Sequence, residues 1–193
     1  MPRQREFDPH KVLQTAIKLF WEKGYFDTSV DEIVRRTGVA KYGIYGTFGT
    51  KSELFKKALI QYASDRHKDI QRPIRKPDAS LPEILAFFKD SPSMMKTKKY
   101  PHGCLIVNTG IEFGMRDPEI SNFVKSFFND TAKVMQLCLE RGVKKEQLPI
   151  SSDVASLATY LVTEFRTSLM LAASGHSPRE IELHLEIALQ GLH

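Results

Sequence analysis

The chain has 193 residues, 41% of them hydrophobic and 26% charged, with a formal net charge of +5 at pH 7. That length and composition suit a soluble globular protein with one sizeable domain or two small ones. No apolar run approaches the roughly 20 residues that span a bilayer, so no membrane partner is expected. The opening M-P-R-Q-R-E-F-D holds no signal-peptide-like apolar stretch, so a cytoplasmic protein is expected. Cys104 and Cys138 are too few for a disulfide framework or a zinc site; they are expected to be buried as small hydrophobes. Six histidines, at 10, 67, 102, 176, 184 and 193, show no paired metal spacing. Neither a metal nor a cofactor is expected.

The charge is uneven along the chain. Residues 1–76 hold 16 Lys and Arg against 9 Asp and Glu, while residues 77–193 hold 12 against 14. The basic surplus therefore belongs to the N-terminal part, as expected where that end meets a polyanion.

In chain order, Asp8-Pro9 is an N-cap followed by proline at the first helical position. Val12, Leu13, Ala16, Ile17, Leu19 and Phe20 recur at helical spacing, and Gly24 ends the run. Ser29-Val30-Asp31-Glu32 has the form of a capping box, opening a second helix with Val30, Ile33 and Val34 on its buried side and Gly38 as its left-handed end. Residues 40–51, A-K-Y-G-I-Y-G-T-F-G-T-K, predict a third short helix from about Lys41 to Phe48. Glycine in a helix interior costs about 1 kcal/mol relative to alanine, so this helix must be held by packing of Ile44 and Phe48. Its glycines, at 43 and 46, are expected to leave bare backbone for close approach to a phosphate strand or groove. Thr50-Lys51-Ser52-Glu53 is a second capping box, starting a helix through about Arg66. Two short helices about a glycine turn, anchored on both sides, describe a helix-turn-helix.

Beyond residue 70, prolines 73, 77 and 82 punctuate the chain. Leu81, Leu85 and Phe88 predict a helix of about ten residues, broken by D-S-P-S, followed by an irregular basic stretch M-M-K-T-K-K-Y-P-H. The apolar run from Cys104 to Met115 comes next. Asp117-Pro118 then opens a long helix to about Arg141, ended by Gly142. Ser152 is expected to cap a helix to about Ala173, and Ser177-Pro178-Arg179-Glu180 to cap the last one. The whole reads as all-α with about nine helices. A helix-turn-helix unit covers residues 1–52, a connecting helix 53–72 and a larger helical part 73–193.

Three segments together resemble the TetR family of bacterial transcriptional repressors: A-I-K-L-F-W-E-K-G-Y, T-S-V-D-E-I-V-R-R-T-G-V and A-K-Y-G-I-Y-G-T-F-G-T-K-S-E-L-F. The resemblance implies a homodimer, formed through the last two helices, that binds double-stranded operator DNA and is released by a small-molecule effector. It implies phosphate contacts from Tyr45 and Lys51, a place near the backbone for Ser29, and an approach to base edges by Lys41, Tyr42 and Gly43. The chain departs from the family's pattern at Ala40, Gly43 and Gly46, where that pattern has polar side chains. Base reading is then expected to rest on Lys41, Tyr42 and Thr47, with Arg36 reaching the backbone and DNA shape carrying more of the specificity.

Cys104, Asn108 and Glu112 fall one helical turn apart. They are either the polar wall of an effector pocket or the outer face of a half-buried helix. Phe113, Phe123, Phe127, Met135 and Tyr160 are core residues of which some are candidates to line the same cavity. No G-x-S-x-G, glycine-rich phosphate loop or cysteine–histidine signature is found, so an enzyme is not expected. The rival to a ligand-responsive repressor is a helical interaction or architectural module that keeps the fold but has lost operator reading. Gly43 and Gly46 motivate it.

Overall fold

The computed structural model describes residues 7–69, 71–95, 102–114, 116–151 and 153–192. Among them the chain forms nine α-helices and no strand: α1 (Pro9–Lys23), α2 (Val30–Thr37), α3 (Lys41–Phe48), α4 (Lys51–Asp69), α5 (Leu81–Met95), α6 (Leu105–Phe113), α7 (Pro118–Lys144), α8 (Val154–Ala173) and α9 (Pro178–Leu189), with a 3₁₀ turn at Gln190–Leu192. The all-α class holds.

The first three helices form a head. α1 packs against α2 and α4, and α3 rests on α2 and α4. Their shared core is Val12, Ala16, Leu19, Phe20, Ile33, Ile44, Phe48, Leu54 and Phe55. The remaining helices form a body in which α7 and α8 pack side by side, α9 lies on α5 and α8, and α6 lies along α7. Phe87, Phe88 and Phe165 pack ring to ring in its centre. The segment after α4 is tied to α7 by polar bonds. Gln71 Nε2 donates to Thr131 Oγ1 at 2.8 Å, and Arg141 Nη1 donates to the Ala79 carbonyl at 3.1 Å.

Several element ends differ from the sequence reading. D-S-P-S does not break α5, which continues to Met95. Proline removes one backbone donor inside a helix, but buried Ile84, Phe87, Phe88 and Ser91 seat this helix against the core. The Ser91 hydroxyl also donates to the Phe87 carbonyl at 2.6 Å. Gly142 does not end α7. It is buried against Leu81 and Leu148, where a small residue permits close packing, and the helix runs two residues further. α8 is capped by Asp153, whose carboxylate accepts from the Ser156 N–H at 3.1 Å; Ser152 lies outside the described residues. Of the expected irregular stretch at 94–102, Met94 and Met95 instead end α5, and residues 96–101 lie outside the described residues. The Thr50/Glu53 and Ser177/Glu180 capping boxes form in both directions. The first one forms only in part. Ser29 accepts from the Glu32 N–H, but the Glu32 carboxylate turns instead to Lys23, Arg35 and Arg36.

Candidate nucleic-acid interface

Gly38, at φ 71°, ends α2 and turns the chain into α3. Ala40 offers no side-chain cap, so α3 begins without one. Ile44 and Phe48 are buried on its inner face. Lys41, Tyr42, Tyr45 and Gly46 share its outer face, with Tyr42 89% and Tyr45 43% exposed. Two aromatic hydroxyls and one ammonium thus project from a short helix on a basic head, a disposition suited to phosphate and base-edge contacts. An added Cβ at Gly46 would meet nothing within 4 Å, so the backbone there is bare. Gly43 is different. A Cβ would come within 3.0 Å of the Phe7 ring and 3.4 Å of Val39, so the glycine accommodates the N-terminal arm rather than an open approach.

The other residues singled out from the sequence hold internal partners. Lys41 Nζ lies 2.8 Å from Asp31 Oδ1, and that carboxylate raises the lysine's pKa. Arg36 lies 3.3 Å from Glu22 and 3.8 Å from Glu32. Thr47 is half-buried on the flank of α3, and Ser29 is exposed at the start of α2. Lys51 Nζ sits 4.4 Å from the centre of the Tyr25 ring and donates to the Phe26 carbonyl at 3.4 Å. Burial lowers its pKa, opposed by the charges of Glu112 and Asp27.

That lysine stands at a junction between head and body. The Glu112 carboxylate of α6 accepts from the backbone N–H groups of Tyr25 and Phe26, each at 2.9 Å. Those amides lie in the turn just past α1. A carboxylate receiving two backbone donors is a strong, charge-assisted arrangement. Gly24, at φ 82°, makes room for it, since a Cβ there would fall 2.8 Å from Glu112 Oε1. Around this clamp the rings of Tyr25, Phe26, Phe55 and Phe113 pack with centroids 4.9–5.6 Å apart.

The opposite face of α6 lines a groove of about 620 Å³ shared with α7 and α8. Gly110 sets the spacing, with Val124 of α7 only 3.2 Å from where its Cβ would stand. Val107 and Ile111 come from α6, Val124, Lys125 and Phe128 from α7, and Thr163, Arg166 and Met170 from α8.

None of the eight residues expected to bind effector lines this groove. Glu112 and Phe113 face the head. Asn108 Nδ2 donates to the His102 carbonyl at 3.0 Å. Cys104 is buried just before α6, where burial pushes its thiol up. Phe127 and Met135 are buried, Phe123 is half-buried, and Tyr160 lies exposed on α8. Turn spacing put Asn108 and Glu112 on one side of α6, where Glu112 meets the head and Asn108 the His102 carbonyl. The sequence reading did not single out the groove residues; Val107, Gly110, Ile111 and Gly114, spaced i, i+3, i+4 and i+7, are the signal that marks its α6 side.

Residues 12–58 match the model of bacterial regulatory proteins of the tetR family, and residues 80–187 match a Tetracyclin repressor-like C-terminal domain. The chain belongs to the TetR family of transcriptional regulators. Among its TetR-family relatives, it is 27% identical to the uncharacterized HTH-type transcriptional regulator YezE of Bacillus subtilis over 100% of both chains. It is 28% identical to the HTH-type transcriptional repressor ComR of Escherichia coli, over 82% of this chain and 76% of that one. The fold is similar to that of a TetR-family regulator, a CifR cysteine mutant complexed with 26 bp of double-strand operator DNA, with a TM-score of 0.84 at 21% identity, covering 97% and 98% of the two chains. It is also similar to the reduced form of E. coli NemR, with a TM-score of 0.81 at 17% identity and 93% of each chain covered. The head of this TetR-family chain is thus its helix-turn-helix, with α3 as the second helix of that motif.

Proposed function

We propose that the protein is a dimeric repressor that binds a palindromic operator through α3 and is released when an effector occupies the α6–α7–α8 groove. The observation that carries this reading is the double role of α6. One face lines the groove and the other holds the head through Glu112. A shift of α6 would act on the Tyr25–Phe26 turn and on Lys51, which donates to that same turn. Tyr45 and Lys51 supply phosphate contacts, with Ser29 and Arg36 alongside; Lys41, Tyr42 and Thr47 approach base edges, and the bare backbone at Gly46 lets the helix lie close.

The outer faces of α8 and α9 support a dimer. Tyr160 on α8, and Leu183 and Ile187 on α9, are large hydrophobics left exposed. Near Tyr160 on α8, the hydroxyls of Thr159, Thr163 and Thr167 donate to the backbone carbonyls four residues earlier. That satisfies their protons locally and leaves the helix face low in unmet polarity. Two copies joined there would set two α3 helices on one side of a duplex, with half-sites roughly 34–36 Å apart or a multiple of that.

The test is a screen for compounds that raise the melting temperature of the full chain, each then assayed for release of bound operator duplex. The reading expects some stabilisers to release DNA from the natural chain but not from Ile111→Trp, which fills the groove from an exposed position. It fails if release persists unchanged in that variant, or if no stabiliser releases DNA.

A further inference from the structure

The groove carries information about what it holds. Its base is apolar, made by buried Val124 and Phe128, with the half-open side chains of Ile111 and Met170 along its sides. Its rim holds two cations, Lys125 and Arg166, and no aspartate or glutamate is among the lining residues. The Arg166 guanidinium is stacked on the Phe128 ring at 4.6 Å, which fixes the planar fork beside the apolar floor. An arginine oriented in this way presents paired donors to a carboxylate or phosphate. The volume of about 620 Å³ falls within the range for a small organic ligand.

From this juxtaposition we infer that the groove binds organic anions with an apolar body: a carboxylate or phosphate head at Lys125 and Arg166, and a hydrocarbon or aromatic tail along Ile111, Val124 and Met170. The inference rests on the groove being the effector site and adds the chemical class. A neutral compound of the same shape would bury the same apolar surface and gain nothing from the two cations. A cationic one would be repelled by both. The groove borders the exposed α8 face, so a second copy would close its rim without supplying the anion.

The experiment is calorimetric titration of the full chain, without DNA, with decanoate, decanol and decyltrimethylammonium, each below its micelle concentration. Decanoate is expected to bind about tenfold or more tighter than decanol, the scale of one charge-assisted hydrogen bond. The ammonium is expected to bind weakest. In the double variant Lys125→Gln/Arg166→Gln, decanoate should bind no better than decanol does to the natural chain. Both side chains are exposed, and an unchanged circular dichroism spectrum would confirm that the variant folds. Equal binding of the three compounds, or preference for the ammonium, overturns the inference. So does a double variant that only shifts the monomer–dimer balance and leaves the decanoate preference intact, which would make the groove rim an interface between copies. Decanoate binding without release of operator would leave the ligand class standing and sink the effector reading instead.

Discussion

The outer face of α3 carries Lys41, Tyr42 and Tyr45 on an uncapped helix of eight residues with two interior glycines. The junction beneath α6 buries Phe55 and Phe113 beside a carboxylate bonded to two backbone amides. These regions lie in one small protein, yet they hold their order by different means. α3 borrows its order from Ile44 and Phe48 below, which leaves its outer side free to exchange water for phosphate. The junction makes its own order from directional bonds and packed rings, so the displacement of α6 proposed above would reach the head instead of being absorbed. A surface that meets a partner has little to lose locally; a surface that transmits must resist.

Substitutions should separate the two regions sharply. Phe55→Ala, at a fully buried ring of the junction, is expected to destabilise the protein by about 3–5 kcal/mol in urea unfolding. Glu112→Ala orphans the Tyr25 and Phe26 amides and should cost about 1–3 kcal/mol. Hydrogen exchange at those two amides should quicken well beyond that at other amides of the head. On α3 the sign reverses. Gly46→Ala adds a methyl group into open space, and melting should show a gain of about 0.5–1 kcal/mol from helix propensity. Smallest is Asp31→Asn, which frees Lys41 from its ion pair. Duplex binding should tighten a few-fold, most on the preferred sequence, as the freed ammonium reaches base edges. If Gly46→Ala destabilises as much as Glu112→Ala, the contrast between the regions is lost.

Much of this architecture was written in local signals. Asp8-Pro9, Asp117-Pro118 and Ser177-Pro178 open helices where cap chemistry says they should. Ile44 and Phe48, four apart, gave the buried side of α3. Punctuation misled where burial outweighed it, at Pro92 within α5 and Gly142 within α7. The site was less legible than the fold. Periodicity says which residues share a face of a helix, but not what that face meets. Glu112 and Asn108 were therefore open to two readings, a pocket wall or an outer helix face, and neither names what the Glu112 carboxylate meets: two amides 86 and 87 residues earlier in the chain. The close approach of α6 to α7 at Gly110 and the stacking of Arg166 on Phe128 join elements far apart in sequence. No local pattern specifies them. Likewise Lys41 and Lys51 were singled out for DNA contact, and their internal partners, Asp31 and the Tyr25–Phe26 turn, come from elsewhere in the head.

The central claim is that the outer face of α3 reads duplex sequence. Selection of duplexes from a random library at about 150 mM salt, followed by sequencing, tests it most directly, because phosphate contacts alone weaken steeply at that ionic strength. The natural chain should recover a palindrome with half-sites about one helical turn apart or a multiple of it, and Tyr42→Ala should lose preference at particular positions within each half-site. Salt-sensitive binding with no consensus, the same for both proteins, would contradict the claim and leave the fold as an architectural or interaction module.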